Sequence, residues 1–138
     1  MAGYDSNVRQ AGGWNMARIL VVDDEDLVRL TLRQMHEAGG HDDVGEATNG
    51  KQGVALEAEN SVDLVVTDII MPEQEGIETI VQLRRKNPLL KIIAISGGGR
   101  MKNMDFLKIA ANVGADATLT KPFSTQELTE VVNRCLAG

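Results

Sequence analysis

The sequence has little cysteine, few aromatic residues and no cluster of positive charge. A single cysteine among 138 residues rules out an intramolecular disulfide. Aromatic residues make up 3% of the chain against 43% for all hydrophobic residues, so the core has to be aliphatic. A net charge of −6 without a run of Lys or Arg argues against direct binding to nucleic acid. No apolar stretch reaches the length of a membrane span or a secretory signal, so we expect a cytoplasmic protein that enters no membrane.

The beginning of the chain differs in composition from the rest. The first fifteen residues are rich in glycine and polar residues and show no apolar period, whereas the sequence after Met16 runs into ARILVVDDE. We therefore expect residues 1–16 to be an extension outside the fold, either flexible or artificially added. Residues 17–138 have the length of one domain with a single core.

Short apolar runs recur along this domain at 19–22, 64–66 and 92–95, and two weaker strands are predicted at 44–47 and 117–120. Continuous apolar runs are typical of strands that are buried on both faces. Segments with helical spacing lie between them. Their predicted buried faces are Val28, Leu32 and Met35, then Phe106, Ile109, Ala110 and Val113, and finally Leu128, Val131, Val132 and Cys135. Five repeats of strand and helix predict an α/β fold with a parallel sheet between layers of helices.

Residues with charged or hydroxyl side chains follow four of these strands. They are Asp23 and Asp24, Asp68, Ser96, and Lys121. Each of these residues alone would be common in a solvent-exposed loop. Together they indicate a binding site, because parallel sheets bind ligands at the carboxyl ends of their strands. Three carboxylates gathered there repel each other unless positive charge lies among them. Lys121 and a hard cation would supply it, and oxygen-only ligands favour Mg²⁺, which commonly accompanies phosphate.

The blocks ILVVDDED, LVVTDIIMP, IIAISG and TLTKPF resemble the signature blocks of bacterial response-regulator receiver domains, including the single-domain type used in chemotaxis. The resemblance spans Ala17 to Leu136. It implies a doubly wound, five-stranded parallel sheet with five helices, the flavodoxin-like three-layer sandwich. It also implies two-component signalling, in which a histidine kinase or phosphotransfer protein phosphorylates Asp68. Such a domain is a switched signalling protein rather than an enzyme, with at most Mg²⁺-dependent self-phosphorylation and autodephosphorylation.

The resemblance further implies a role for each site residue. The expected metal ligands are Asp23, largely through water, Asp24, Asp68 and the backbone carbonyl of Ile70. The expected phosphate ligands are Ser96, the backbone N–H of Gly97, and Lys121, which a cis Lys121–Pro122 bond would aim at the phosphate. Ser96 and Thr118 occupy the switch positions. The family commonly has Tyr or Phe where this chain has Thr118, so the aromatic half of the usual switch is missing.

Two further expectations concern how a signal leaves the domain. Glycines at 97–99 followed by RMKNM predict a longer and looser connection to the fourth helix than is usual in the family. Since the chain ends at Gly138 without an output domain, we expect contact with a downstream protein. By family analogy, the contact face comprises the fourth helix, the fifth strand and the helix from Ser124 to Leu136.

Other interpretations remain open at this stage. A haloacid-dehalogenase-type phosphatase also places an Asp nucleophile after a strand, but it needs an acidic pair on a strand end beyond the lysine. A flavodoxin-type binding module would place its flavin phosphate against the acidic DDED segment, which would repel it. A pseudo-receiver that signals without phosphate would not need the complete set of site residues. His36 and His41 are interpreted as surface histidines, and Cys135 as a core residue.

Overall fold

Five parallel strands form one sheet in the computed structural model, which describes residues 9–11, 14–60, 62–69, 75–97 and 101–137. The strands are β1 Arg18–Val22, β2 Asp42–Ala47, β3 Leu64–Asp68, β4 Lys91–Gly97 and β5 Ala117–Lys121. Their order across the sheet is β2-β1-β3-β4-β5. The chain thus moves in one direction from β1 to β2 and in the other from β3 onwards, which is the flavodoxin-like order. The predicted fold class is confirmed.

A helix follows every strand of the five-stranded sheet. The helices are α1 Asp26–Ala38, α2 Gly50–Glu59, α3 Glu75–Lys86, α4 Met101–Val113 and α5 Thr125–Ala137. Helix α5 begins with a capping box, because the Glu127 N–H donates to Ser124 Oγ at 3.0 Å and the Ser124 N–H donates to the Glu127 carboxylate at 2.9 Å. Asn49 caps the start of helix α2, since its side chain accepts from the Gln52 N–H. No described helix is long and apolar enough to cross a membrane.

The central strands β1, β3 and β4 are buried on both faces, and their side chains alternate between two cores. On β1, Leu20 and Val22 face a core completed by α2, α3 and α4. Ile19 and Val21 face a second core completed by α1 and α5. This arrangement explains why the strands are continuous apolar runs rather than alternating ones.

The predicted buried faces of α1 and α5 are confirmed, since their residues join the second core. The face predicted for α4 is wrong at Ile109, which is 43% exposed. Ala110 is buried as predicted, and Leu107, which was not predicted, is buried as well. Ile109 lies about 100° around the helix from Ala110. The side chain of Phe106 lies outside the described residues.

The connection before α4 is shorter than predicted. Strand β4 ends at Gly97 and α4 begins at Met101, so residues 98–100 alone separate them. The segment MKNM therefore belongs to the first helical turn rather than to a loop. Residues 98–100 themselves lie outside the part of the chain that the structure describes.

The N-terminal segment contains a short hairpin that the sequence did not predict. Residues Arg9–Ala11 pair antiparallel with Trp14–Met16. They form a two-stranded sheet of their own, separate from the five-stranded sheet. The boundary between residues 1–16 and the following domain stays a prediction.

The interpretation of His41 as a surface residue is wrong. His41 follows α1 and is only 6% exposed, and its Nδ1 accepts the Ala17 backbone N–H at 3.1 Å. Burial lowers the pKa of His41, and the Asn133 side chain partly opposes that shift. The histidine thus anchors the start of β1. Cys135 is buried as predicted, and burial raises the pKa of its thiol.

Candidate functional site

The predicted site residues gather at one edge of the sheet because their strands are parallel. Asp23 and Asp24 directly follow β1, Asp68 is the last residue of β3, and Lys121 is the last residue of β5. On β4, Ser96 and Gly97 pair in register with Thr120 and Lys121 of β5. The edge is the one at which this topology binds ligands.

Four acidic side chains cluster at this edge. Asp23 is fully buried and Asp68 is 4% exposed, whereas Asp24 and Glu25 are exposed. One carboxylate oxygen from each of the four lies within 4.8 Å of the others. Glu25 was not among the predicted site residues, although its place in the DDED segment was a visible signal. The Glu25 backbone N–H also donates to Asp23 Oδ1 at 2.9 Å, which fixes the buried carboxylate.

Lys121 supplies positive charge to the two buried acids. Its Nζ lies 3.5 Å from Asp23 Oδ2 and 3.5 Å from Asp68 Oδ2. Buried carboxylates are costly without such a partner. The Lys121–Pro122 peptide bond is cis, as the resemblance implied. The ammonium group thus bridges the ends of β1 and β3 from the end of β5.

The cluster fits a hard divalent cation. Ligand oxygens on opposite sides of a magnesium ion lie about 4 Å apart, and the four acidic oxygens all lie within 4.8 Å of one another. The cluster offers oxygen donors only and contains neither histidine nor cysteine, a donor set that does not suit zinc. The predicted ligand Ile70 lies outside the described residues.

Ser96 adds a hydroxyl that has no hydrogen-bond partner among the described residues. It is fully buried, and its Oγ makes no hydrogen bond to any residue that the structure describes. A buried hydroxyl in this state costs free energy, so groups of this kind generally have a partner. An anion bound at the strand ends would provide acceptor atoms for it.

Thr118 lies apart from this cluster. It is exposed on β5 and pairs in register with Ala94, two residues before Ser96 on the neighbouring strand. The structure therefore brings Ser96 and Lys121 to the strand ends but leaves the second predicted switch position further down β5.

Helix α3 packs directly on the backbone at the end of β3. A Cβ on Gly76 would stand 2.5 Å from the Asp68 carbonyl oxygen and 2.3 Å from the Ile69 Cα. Only glycine permits this approach. The Ile69 N–H donates to the Ile95 carbonyl at 3.0 Å and so continues the contact between β3 and β4. Gly76 was missed from sequence, because a glycine near the start of a helix does not reveal what it packs against.

The phosphatase alternative finds no support in the described chain. Beyond Lys121 that part of the chain forms only α5, where Glu127 and Glu130 are exposed. The described residues therefore contain no acidic pair on a later strand end.

Comparison with known proteins gives one consistent family. The family model for the response regulator receiver domain matches residues 19–133. The chain is 34% identical over 117 residues to the chemotaxis protein CheY of Thermotoga maritima, covering 85% of this chain and 95% of that protein. It is also 34% identical over 119 residues to CheY of Bacillus subtilis, covering 86% and 97%. A receiver domain protein from Clostridium thermocellum has a similar structure, with a TM-score of 0.78 and 28% identity over 88% of this chain and 94% of that chain.

Proposed function

The chain belongs to the response-regulator receiver family of two-component signalling, and from this premise we propose that Asp68 is its phosphoacceptor. The phosphoryl group would come from a histidine kinase or a phosphotransfer protein. The observation that carries this assignment is the placement of Asp68, nearly buried, beside Lys121 and the acidic pair after β1. A carboxylate held in this way has a fixed direction and lies next to the positive charge that its reaction as a nucleophile needs.

The chemistry that this arrangement supports is an in-line displacement. An oxygen of the Asp68 carboxylate forms a bond to phosphorus while the bond from phosphorus to the donor imidazole nitrogen breaks, and the nitrogen keeps the electron pair. Charge spreads over the equatorial phosphoryl oxygens during the transfer. The Lys121 ammonium, the Ser96 hydroxyl and the Gly97 N–H would stabilise those oxygens. The protein therefore acts mainly by placing donors and positive charge.

We assign the metal site to Asp23, Asp24 and Asp68, with the Ile70 carbonyl as a further ligand. The four-acid cluster and its oxygen-only donor set support Mg²⁺. Bound Mg²⁺ would supply the positive charge that draws the phosphoryl oxygens toward the carboxylates. Asp23 is held on both sides, by Lys121 at Oδ2 and by the Glu25 N–H at Oδ1. This fixed orientation supports a contribution through water rather than by direct ligation.

The proposed output is a change in a protein-contact face made of α4, β5 and α5. Strand β5 is the edge strand of the sheet beside β4, whose end carries Ser96 and Gly97. Ile109 on α4 and Thr118 on β5 both expose their side chains there. A rearrangement at Ser96 would reach this face through the short connection to α4. In this scheme the protein is a phosphorylated signalling protein and turns over no substrate of its own beyond the phosphoryl group.

The substitution Asp68→Asn tests the acceptor assignment. It removes one nucleophilic oxygen with little change in volume, so we expect no phosphorylation by a small phosphodonor such as acetyl phosphate with Mg²⁺. Asp116→Asn, the same change at the opposite end of β5, should leave phosphorylation intact. Retention of a hydroxylamine-labile phosphate in the Asp68→Asn variant would refute the assignment.

A further inference from the structure

Arg29 on α1 lies beneath the acidic pair and is almost fully buried. Its side chain is 10% exposed, and its Nη1 donates to the Asp23 backbone carbonyl at 2.7 Å. Its Nη2 contacts the Asp26 carboxylate at the start of the same helix. Arginines are rarely buried unless they are paired. Arg29 is paired with the backbone at the end of β1 and with the start of its own helix.

Glu46 on β2 forms ion pairs with Arg29 and Arg33. Its Oε1 lies 3.8 Å from Arg29 Nε, and its Oε2 lies 3.2 Å from Arg33 Nη1. The residue after Glu46 is Ala47, whose carbonyl accepts the Asp23 N–H at 3.0 Å. The backbone of Asp23 is therefore held at its N–H by β2 and at its carbonyl by Arg29.

We propose that Arg29, itself held by Glu46, is a positioning residue that sets the geometry of the Asp23–Asp24 pair for binding Mg²⁺. The inference rests on the proposed function. The Asp23 carbonyl belongs to the peptide group that joins Asp23 to Asp24, so a donor fixed on this oxygen limits rotation of the peptide and the direction of both side chains. We expect the effect on orientation to be largest for Asp24, because its side chain is exposed and its own packing restrains it little. Groups that orient metal ligands in this way affect metal affinity without touching the metal.

The sign of the effect separates positioning from simple electrostatics. A guanidinium close to a cation site repels the cation, so the loss of its charge alone would strengthen Mg²⁺ binding. Loss of a positioning contact would weaken Mg²⁺ binding, because the acidic pair would have to be ordered on binding. The two roles thus predict changes in opposite directions.

The test compares Mg²⁺ affinity, measured by isothermal titration calorimetry on the full chain, for Arg29→Met and Arg33→Met. Arg33 is a matched control, since it lies on the same helix and pairs with the same Glu46 but contacts no part of the acidic pair. We expect Arg29→Met to weaken Mg²⁺ binding about tenfold and Arg33→Met to leave it unchanged. Glu46→Gln should weaken binding by a smaller factor, and Arg29→Lys should restore part of the loss. Raising the Mg²⁺ concentration should restore the phosphorylation rate of Arg29→Met.

Unchanged or tighter Mg²⁺ binding by Arg29→Met would overturn the inference, as would an equal loss in Arg33→Met. If circular dichroism shows that Arg29→Met does not fold, Glu46→Gln and Arg29→Lys decide, and unchanged affinity in both would overturn it. Mg²⁺ binding by the unsubstituted chain and by Asp24→Ala shows whether the positioning role of Arg29 or the proposed metal site itself has failed. If the unsubstituted chain binds no Mg²⁺, or Asp24→Ala binds it equally well, the proposed metal site fails and this inference fails with it.

Discussion

Gly76 at the start of α3 touches the backbone of Ile69, and a Cβ on Gly76 would stand 2.3 Å from the Ile69 Cα. Ile69 directly follows Asp68, so the position of α3 and the position of the acceptor carboxylate are tied to each other. A methyl group on Gly76 would therefore force α3 or the end of β3 to move.

Gly76→Ala should therefore lower the free energy of unfolding by about 1–3 kcal/mol through overpacking. It should also slow phosphorylation of Asp68, because α3 or the end of β3 has to shift. Urea unfolding and the rate of phosphorylation by acetyl phosphate measure the two effects. Gly45→Ala is a suitable control, since a Cβ there meets Leu56 Cδ1 at an ordinary 3.6 Å. Equal behaviour of the two variants would show that the contact at Gly76 is not restrictive.

Removal of the Lys121 charge should affect the reaction more than the metal. Lys121→Met takes away the ammonium group that lies 3.5 Å from both Asp23 and Asp68. We expect phosphorylation to slow by about a hundredfold, as for the loss of one group that stabilises transferred charge. Mg²⁺ binding should be retained or tightened, because a positive charge near the carboxylates is lost. Lys91→Met, at the opposite end of β4, should change neither quantity, and a normal phosphorylation rate in Lys121→Met would contradict the assigned role.

His41 predicts how stability depends on pH. Burial lowers its pKa below 6.5 in the folded protein, and the Asn133 side chain opposes this only in part. As the pH falls, the unfolded chain therefore takes up the proton first, and stability decreases. Protonation of the folded form would place a hydrogen on Nδ1, which now accepts the Ala17 N–H.

The stabilising contribution of neutral His41 should thus be complete above about pH 7 and be lost as the pH falls through 6.5 toward the folded pKa. Urea unfolding at several pH values would measure this. His41→Asn keeps an acceptor near the Nδ1 position but does not titrate, so its unfolding should depend less on pH in this range. His36→Asn serves as the control and should retain the dependence of the unsubstituted chain. An unaltered pH profile for His41→Asn would assign the dependence to other groups.

The sheet and the strand-end residues could be predicted because they depend on few facts about the sequence. Long apolar runs identify strands buried on both faces, and parallel strands bring their carboxyl ends to one edge. These two rules suffice to bring Asp68 close to Lys121, although β4 and two helices separate them along the chain.

Contacts that depend on side-chain direction could not be predicted in the same way. Arg29 lies in a helix segment rich in charged residues and looks like a surface arginine until α1 is placed against β2. Ile109 was assigned to the buried face together with its neighbour Ala110, although the two lie about 100° apart around α4 and only Ala110 is buried. His41 looked like a loop residue, and its hydrogen bond with the Ala17 N–H becomes visible only in the fold.

Ser96 leads to the last prediction, in which stability and signalling respond in opposite ways. Its hydroxyl is buried without a partner among the described residues, so Ser96→Ala removes an unsatisfied group and should leave the stability of the unphosphorylated protein unchanged or slightly higher.

With Mg²⁺ and beryllofluoride, a mimic of the aspartyl phosphate, the hydroxyl of Ser96 should gain an acceptor. We expect hydrogen exchange to slow most between residues 97 and 104, where β4 passes into α4, because new hydrogen bonds would restrict that segment. Exposed Thr118 should change less. Ser96→Ala should lose much of this protection while Ser96→Thr, which keeps a hydroxyl, should retain it. Protection centred elsewhere, or unaffected by Ser96→Ala, would mean that the signal leaves the site by another route.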